Sequence, residues 1–123
     1  IYFTSSLLLK LYSCMNWIYL FLAGLSEVTF TFCLGKTKTS TGTELIFWYT
    51  GFAIALIASM LLLMKAIQTI PLGTAYAVWT GIGAAGTAII GILIFKDPSN
   101  FWRLFFITLL IGSVLGLKLV SNK

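Results

Sequence analysis

Four long apolar stretches, separated by short loops, limit what this chain can fold into more than any other feature. They cover about residues 16–35, 45–65, 70–95 and 101–120, and charged side chains are rare within them. A helix of about 20 apolar residues spans the hydrocarbon core of a membrane. The sequence therefore predicts an all-α membrane protein, in which four transmembrane helices form a single domain over residues 15–121.

The composition argues against a soluble domain, because 9% of the residues are charged and soluble domains carry about 25%. The net charge of +5 comes from lysines and arginines scattered singly along the chain. Such scatter is typical of short membrane loops and gives no basic cluster for nucleic acid. The chain has no histidine, and Cys14 and Cys33 are not spaced as metal ligands. We therefore expect no metal, no cofactor and no nucleic-acid partner.

Residues 1–14 precede Met15, which resembles a natural start. The stretch is too short and too interrupted for a signal peptide with a cleavage site. We interpret it as a leader, or as a remnant of upstream or expression-vector sequence, and assign it no function. A segment lying in the membrane interface is the alternative.

Glu27 lies in the middle of the first apolar stretch. An acid at membrane depth costs about 2.5–3.5 kcal/mol on insertion scales, and such acids usually mark ion or proton pathways. Because burial disfavours the charged form of a carboxyl group, this acid can hold a proton and release it when a cation arrives. Glu27 therefore predicts a cation–proton exchanger; a silent, structural acid is the alternative.

Five further residues are predicted to line this site. Gly24 and Phe30 lie one turn before and after the acid, on the same helix face. The rings of Tyr76 and Trp79, three residues apart, can hold a cation between them. The Tyr76 hydroxyl can orient the carboxylate, and Ser59 can donate to it. The structural alternatives are that the aromatic rings fill the core and that the serine bonds its own backbone.

Gly81, Gly83 and Gly86 have the spacing of a dinucleotide-binding turn. Such a turn follows a strand at a water-accessible edge, whereas these glycines lie inside an uncharged apolar stretch. Gly83, Thr87 and Gly91 recur every four residues and share a helix face, where glycine lets another backbone come close. Clustered glycines also allow a helix to bend. We therefore predict packing and hinge positions at Gly81, Gly83, Gly86 and Gly91, and no nucleotide site.

Gly112 and Gly116 form a small-xxx-small pattern that is typical of helix–helix contacts in membranes. Four short helices enclose too little volume for a transport pathway. Lys118 is the other deep charge, and near a helix end it can extend to the membrane surface. We therefore expect a dimer that uses Gly112 and Gly116 for packing and whose second subunit completes the site.

Three segments together resemble the small multidrug resistance family: "AGLSEV" around Glu27, "IPLGTAYAVWTGIGAAG" from Ile70, and "GLKL" from Gly116. The resemblance covers residues 15–121, and "VWTGIG", Gly24 and Lys118 favour the guanidinium-exporter subtype.

This resemblance implies an antiparallel, dual-topology dimer in the plasma (inner) membrane of a prokaryote, which exports a small organic cation in exchange for protons by alternating access. Glu27 of each subunit would bind proton or substrate, Tyr76 and Trp79 would line the site, and Ser59 would support the acid. The glycines of the third helix would form a flexible segment.

Phe30 departs from this subtype, which typically has tryptophan one turn after the acid. The first loop is also longer than usual, and both features occur in members that work as heteromeric pairs. The loop charges of the two membrane sides balance at four each when all are counted, and fall to two against four without residues 1–14 and Lys118. A homodimer and a pairing with a paralogous subunit therefore both stay open.

Three alternatives to guanidinium export by a homodimer are retained. The protein can export quaternary ammonium or other lipophilic cations, form one half of a heteromeric pair, or act as a non-transporting membrane assembly subunit. An enzyme is not expected, because the sequence offers no nucleophile–base pair and no metal set.

Overall fold

The computed structural model describes the backbone of residues 2–120 and the side chains of residues 5–120. This part of the chain forms helices α1 (Tyr2–Thr37), α2 (Thr43–Ala66), α3 (Leu72–Leu93) and α4 (Phe101–Val120). All four are long and apolar enough to cross a membrane, so the predicted all-α membrane fold is confirmed. Residue 121, the last of the predicted domain, and Lys123 lie outside the described residues.

Helix α1 begins much earlier than the predicted boundary near residue 16. Residues 2–14 contain neither glycine nor proline, so nothing in this segment interrupts a helix. With 36 residues, α1 is about 54 Å long at 1.5 Å per residue, whereas the hydrocarbon core of a bilayer is about 30 Å thick. Part of α1 therefore extends beyond the hydrocarbon, and the function of residues 1–14 stays unassigned.

Local chemistry sets the ends of α2 and α3. Gly42 precedes α2 with φ 65°, in the left-handed region that favours glycine. Helix α3 is shorter than the predicted 70–95 because Pro71 forms its N-cap and Lys96 turns the chain back with φ 58°. The backbone N–H of Asp97 then donates to the carbonyl of Gly91 at 2.9 Å.

Helix α1 is the centre of the packing between the helices. Helix α1 packs most extensively on α2 and then on α3, whereas α4 lies against α3. The core between α1, α2 and α3 is apolar and consists of Leu20, Ala23, Leu63, Ala66, Ile70, Ala75, Val78 and Trp79. None of the 20 residues of α4, all of them described, is buried. Most of α4 is therefore available to lipid or to another subunit.

Asn16 joins α1 to the loop between α2 and α3. Its side chain is 1% exposed, and its Nδ2 donates to Thr69 Oγ1 at 2.7 Å. A buried amide needs such a partner to offset its lost hydration. This bond fixes the α2–α3 loop against the end of the bundle where the apolar core lies.

Candidate functional site

The carboxyl group of Glu27 lies between α1 and α3, directly against Gly83. A Cβ atom added at Gly83 would overlap the Glu27 carboxylate, so the acid occupies space that glycine alone leaves free. Its Oε2 is buried and has no hydrogen-bond partner among the described residues. Because a buried acceptor without a donor is costly, a proton or a cationic donor at this oxygen would be stabilising.

Two more glycines bring α1 and α3 together above and below this contact. A Cβ atom at Gly24 would lie 2.6 Å from Cγ2 of Ile82, and one at Gly86 would overlap Val28. The two helices therefore meet with small residues on alternating sides of the contact, as close helix packing in membranes requires. The line of contact between α1 and α3, including Glu27, is called the α1–α3 seam below.

Two further glycines of α3 contact other parts of the chain. A Cβ atom at Gly81 would overlap Val114 of α4, and one at Gly91 would overlap the carboxylate of Asp97. Helix α3 is continuous across all of these positions, and a hinge there stays a prediction.

Trp79 and Ser59 form a buried chain of hydrogen bonds that ends on α1. Trp79 Nε1 donates to Ser59 Oγ at 2.9 Å, and Ser59 Oγ donates to the carbonyl of Ala23 at 2.7 Å. A serine hydroxyl has one proton to give, so Ser59 does not donate to Glu27 in this conformation, in contrast to the sequence-based expectation. These two hydrogen bonds instead fix the Trp79 indole against α1 and α2, one turn from the acid.

Tyr76 and Phe30 take different surroundings. The Tyr76 ring is 55% exposed and lies 5.4 Å from the Trp79 ring, at 54° to it. The two rings therefore contact one another rather than stand apart as the sides of a sandwich. Phe30 packs edge-on against Phe52 of α2 at 5.5 Å.

Gly112 and Gly116 face away from the other helices. A Cβ atom at either position would meet no atom of the described chain within 4 Å. Their contacts, if any, are therefore made outside this subunit. Lys118, in the last turn of α4, lies over the Trp17 ring at 5.3 Å.

The sequence-based predictions did not include a contact between Thr31 and Thr87. Their hydroxyl oxygens are 2.7 Å apart across the α1–α3 seam. The signal was available, because Thr31 lies four residues after Glu27 and Thr87 four residues after Gly83. Two residues in contact across a helix pair predict a second contact one turn further on.

Four apolar helices with one carboxyl group in a helix seam, its Oε2 buried, define a multi-pass membrane protein with an ionisable site inside the membrane. Residues 15–110 match the sequence profile of the family described as Small Multidrug Resistance protein. The chain belongs to the small multidrug resistance family, a family of transporters of the prokaryotic plasma membrane.

The chain aligns with curated relatives over nearly their whole length. The chain is 44% identical to the "Probable guanidinium efflux system subunit GdnD" of Bacillus licheniformis over 109 residues, which are 87% of this chain and 100% of the relative. It is also 44% identical to the "Guanidinium exporter" of Proteus vulgaris over 108 residues, with the same coverage. A second "Probable guanidinium efflux system subunit GdnD", from Bacillus subtilis, is 40% identical over 107 residues, 87% of this chain and 99% of the relative.

Proposed function

We propose that this protein exports guanidinium or guanidinyl compounds in exchange for protons, by alternating access around Glu27. The observation that carries the proposal is the Glu27 carboxyl group, held in the α1–α3 seam with a buried oxygen that no described residue bonds. The names of the relatives support guanidinium as the substrate.

The chemistry of the site suits this substrate. Guanidinium is planar, donates two parallel hydrogen bonds to a carboxylate, and stacks on aromatic faces. Tyr76 and Trp79 supply such faces on α3, and Glu27 supplies the carboxylate. Because the same oxygens bind either a proton or the cation, occupation by one displaces the other, which couples the two flows without a cofactor.

The direct test is transport by the purified protein in liposomes. Guanidinium applied to one side should drive a proton flux in the opposite direction. Tetra-alkyl ammonium, which carries the same single positive charge, should drive a much smaller proton flux. Larger fluxes with tetra-alkyl ammonium would favour the multidrug alternative. Flux with neither cation would contradict transport by this chain alone.

A heteromeric pair is the second candidate, and a specific observation favours it. Two of the relatives are named as subunits of a guanidinium efflux system, and Phe30 replaces the tryptophan typical of the guanidinium subtype. If this chain requires a paralogous subunit, co-expression with one should restore the guanidinium flux that the chain alone lacks.

We also propose that Gly112 and Gly116 pack against a second subunit inserted in the opposite orientation. Because a Cβ atom at either glycine meets no atom of the described residues within 4 Å, replacing both by valine should leave the subunit folded but lower the cross-linked dimer fraction severalfold. Gly73→Val is the matched control, since a Cβ atom there also meets no atom of the described residues within 4 Å. An unchanged dimer fraction in the Gly112→Val, Gly116→Val variant would exclude this surface from the dimer contact.

Trp79→Phe should weaken guanidinium binding about tenfold, or about 1.4 kcal/mol, which is the usual worth of one lost buried hydrogen bond. The ring remains, but the bond to Ser59 that holds it is lost. Calorimetry on the purified protein measures the affinity, and Trp102→Phe, at a residue 63% exposed, is the control. Equal affinity in the two variants would remove the Trp79 indole from the binding site.

A further inference from the structure

A groove runs between α1 and α4, because both helices pack on α3 while their backbones stay apart. In the described part of the chain, no Cα atom of α1 lies within 8 Å of one in α4. Val114 of α4 fills the space beside Gly81 of α3, which fixes α4 on α3. Ile82 of α3 fills the space beside Gly24 of α1. The surface of α3 between these two contacts is the floor of the groove.

The groove holds a cavity of about 260 Å³, and its lining is mainly apolar. Phe21 of α1, Ile82 of α3 and Ile111 of α4 each contribute an apolar side chain, whereas Lys118 of α4 contributes a charged one. Ile111 and Lys118 are seven residues apart, which is about 10 Å along a helix at 1.5 Å per residue. The cavity is therefore an apolar slot about 10 Å long, with a positive charge toward one end.

The Lys118 ammonium group lies between α4 and α1. Its Nζ is 5.3 Å from the centroid of the Trp17 ring, a distance at which an aromatic face attracts a cation. The ion pair within the described residues joins Arg103 to Asp97, so no acidic side chain in this part of the chain neutralises Lys118. Because Lys118 lies in the last turn of α4, its side chain can reach the level of the lipid head groups.

The chemistry of this groove favours an amphiphile with a negative head and an apolar tail. The positive charge of Lys118 disfavours small cations, and a soluble anion would leave the apolar lining without a partner. An anionic phospholipid supplies both parts, since its phosphate can bind an ammonium group and its acyl chain can fill an apolar slot. Basic pockets between transmembrane helices are known to bind anionic lipid head groups.

We infer that the groove between α1 and α4 is a binding site for one anionic phospholipid, with the phosphate on Lys118 and an acyl chain between α1, α3 and α4. The site is independent of the proposed function, because it uses neither Glu27 nor guanidinium. None of the residues of α4, all of them described, is buried, so a lipid in this groove would add to the contacts that hold α4 beside α1.

Native mass spectrometry of the purified protein tests this site by counting bound lipids. The protein is incubated with equal amounts of dioleoyl phosphatidylglycerol, which is anionic, and dioleoyl phosphatidylcholine, which has the same acyl chains and no net charge. The wild type should bind the anionic lipid preferentially. In Lys118→Gln the ratio of bound anionic to zwitterionic lipid should fall about fivefold, which is the usual attraction of one lysine near a membrane surface. Lys118→Arg should keep the wild-type ratio, because it keeps the charge.

Lys65→Gln is the matched control. Lys65 also lies in the last turn of its helix and over an aromatic ring of α1, that of Tyr19, at 5.3 Å, but it does not line this groove. Its neutralisation removes the same charge and the same kind of ring contact, and it should leave the lipid ratio at the wild-type value. Glycerol phosphate, which carries the phosphate without acyl chains, should not displace the bound lipid at equal concentration.

Equal binding of the two lipids by the wild type would overturn the inference, and so would the same ratio in Lys118→Gln and Lys65→Gln. Displacement of the lipid by glycerol phosphate would reduce the site to one for a phosphate ion. If Lys118→Gln lowered the cross-linked dimer fraction and left the lipid ratio unchanged, the groove would belong to a contact with a second subunit instead.

Discussion

Glu27→Gln should reduce guanidinium-driven proton flux to the level of liposomes without protein. Glutamine has nearly the same shape and keeps polar atoms against Gly83, so we expect the helices to insert and pack as before. It can neither bind a proton in exchange nor carry the negative charge that attracts the cation. Flux in proteoliposomes measures the loss, and size-exclusion chromatography checks that the variant is folded.

Glu44→Gln is the matched control for this change. Glu44 is exposed and lies in the first turn of α2, away from the α1–α3 seam. Its neutralisation removes the same charge from the chain but should leave guanidinium flux near the wild-type value. Full proton-coupled transport by Glu27→Gln would refute a mechanism that centres on this carboxyl group.

Gly83→Ala should lower guanidinium transport about 10- to 100-fold, since overpacking a close contact costs about 1–3 kcal/mol. The added methyl group would occupy the position of the Glu27 carboxylate, so either the acid or one of the two helices has to move. The expected loss is therefore in the affinity for guanidinium as well as in the rate, and calorimetry together with flux measurements separates the two.

Gly73→Ala provides the comparison on the same helix. A Cβ atom at Gly73 meets nothing within 4 Å in the part of the chain that the structure describes, and alanine favours a helix over glycine by about 1 kcal/mol. This variant should bind and transport guanidinium as the wild type does. If Gly83→Ala behaved in the same way, the acid would not depend on the space at Gly83.

The sequence predicted the number and type of the helices because apolar length alone decides whether a segment crosses a membrane. It placed the ends of α2 and α4 within two residues, where Gly42 and Asn100 end the neighbouring loops. The early start of α1 was not predicted. Residues 2–14 have side chains that are compatible with a helix, but their composition does not mark where the helix begins.

The candidate site was harder to predict than the fold, since it depends on contacts between helices. The sequence identified Glu27 from its depth, and periodicity placed Gly83 and Gly91 on one face of α3. Periodicity within one helix does not reveal which partner a hydroxyl chooses. The bond from Ser59 to the carbonyl of Ala23 and the contact of the acid with Gly83 therefore emerged from the packing of α1, α2 and α3.

Proton release on guanidinium binding tests most directly the claim that one carboxyl group serves both ions. Guanidinium is added to the purified protein in weakly buffered solution, and the released protons are counted with a pH indicator while calorimetry measures the bound cation. The account predicts proton release in proportion to binding by the wild type, and none by Glu27→Gln. Guanidinium binding by the wild type without proton release would contradict it.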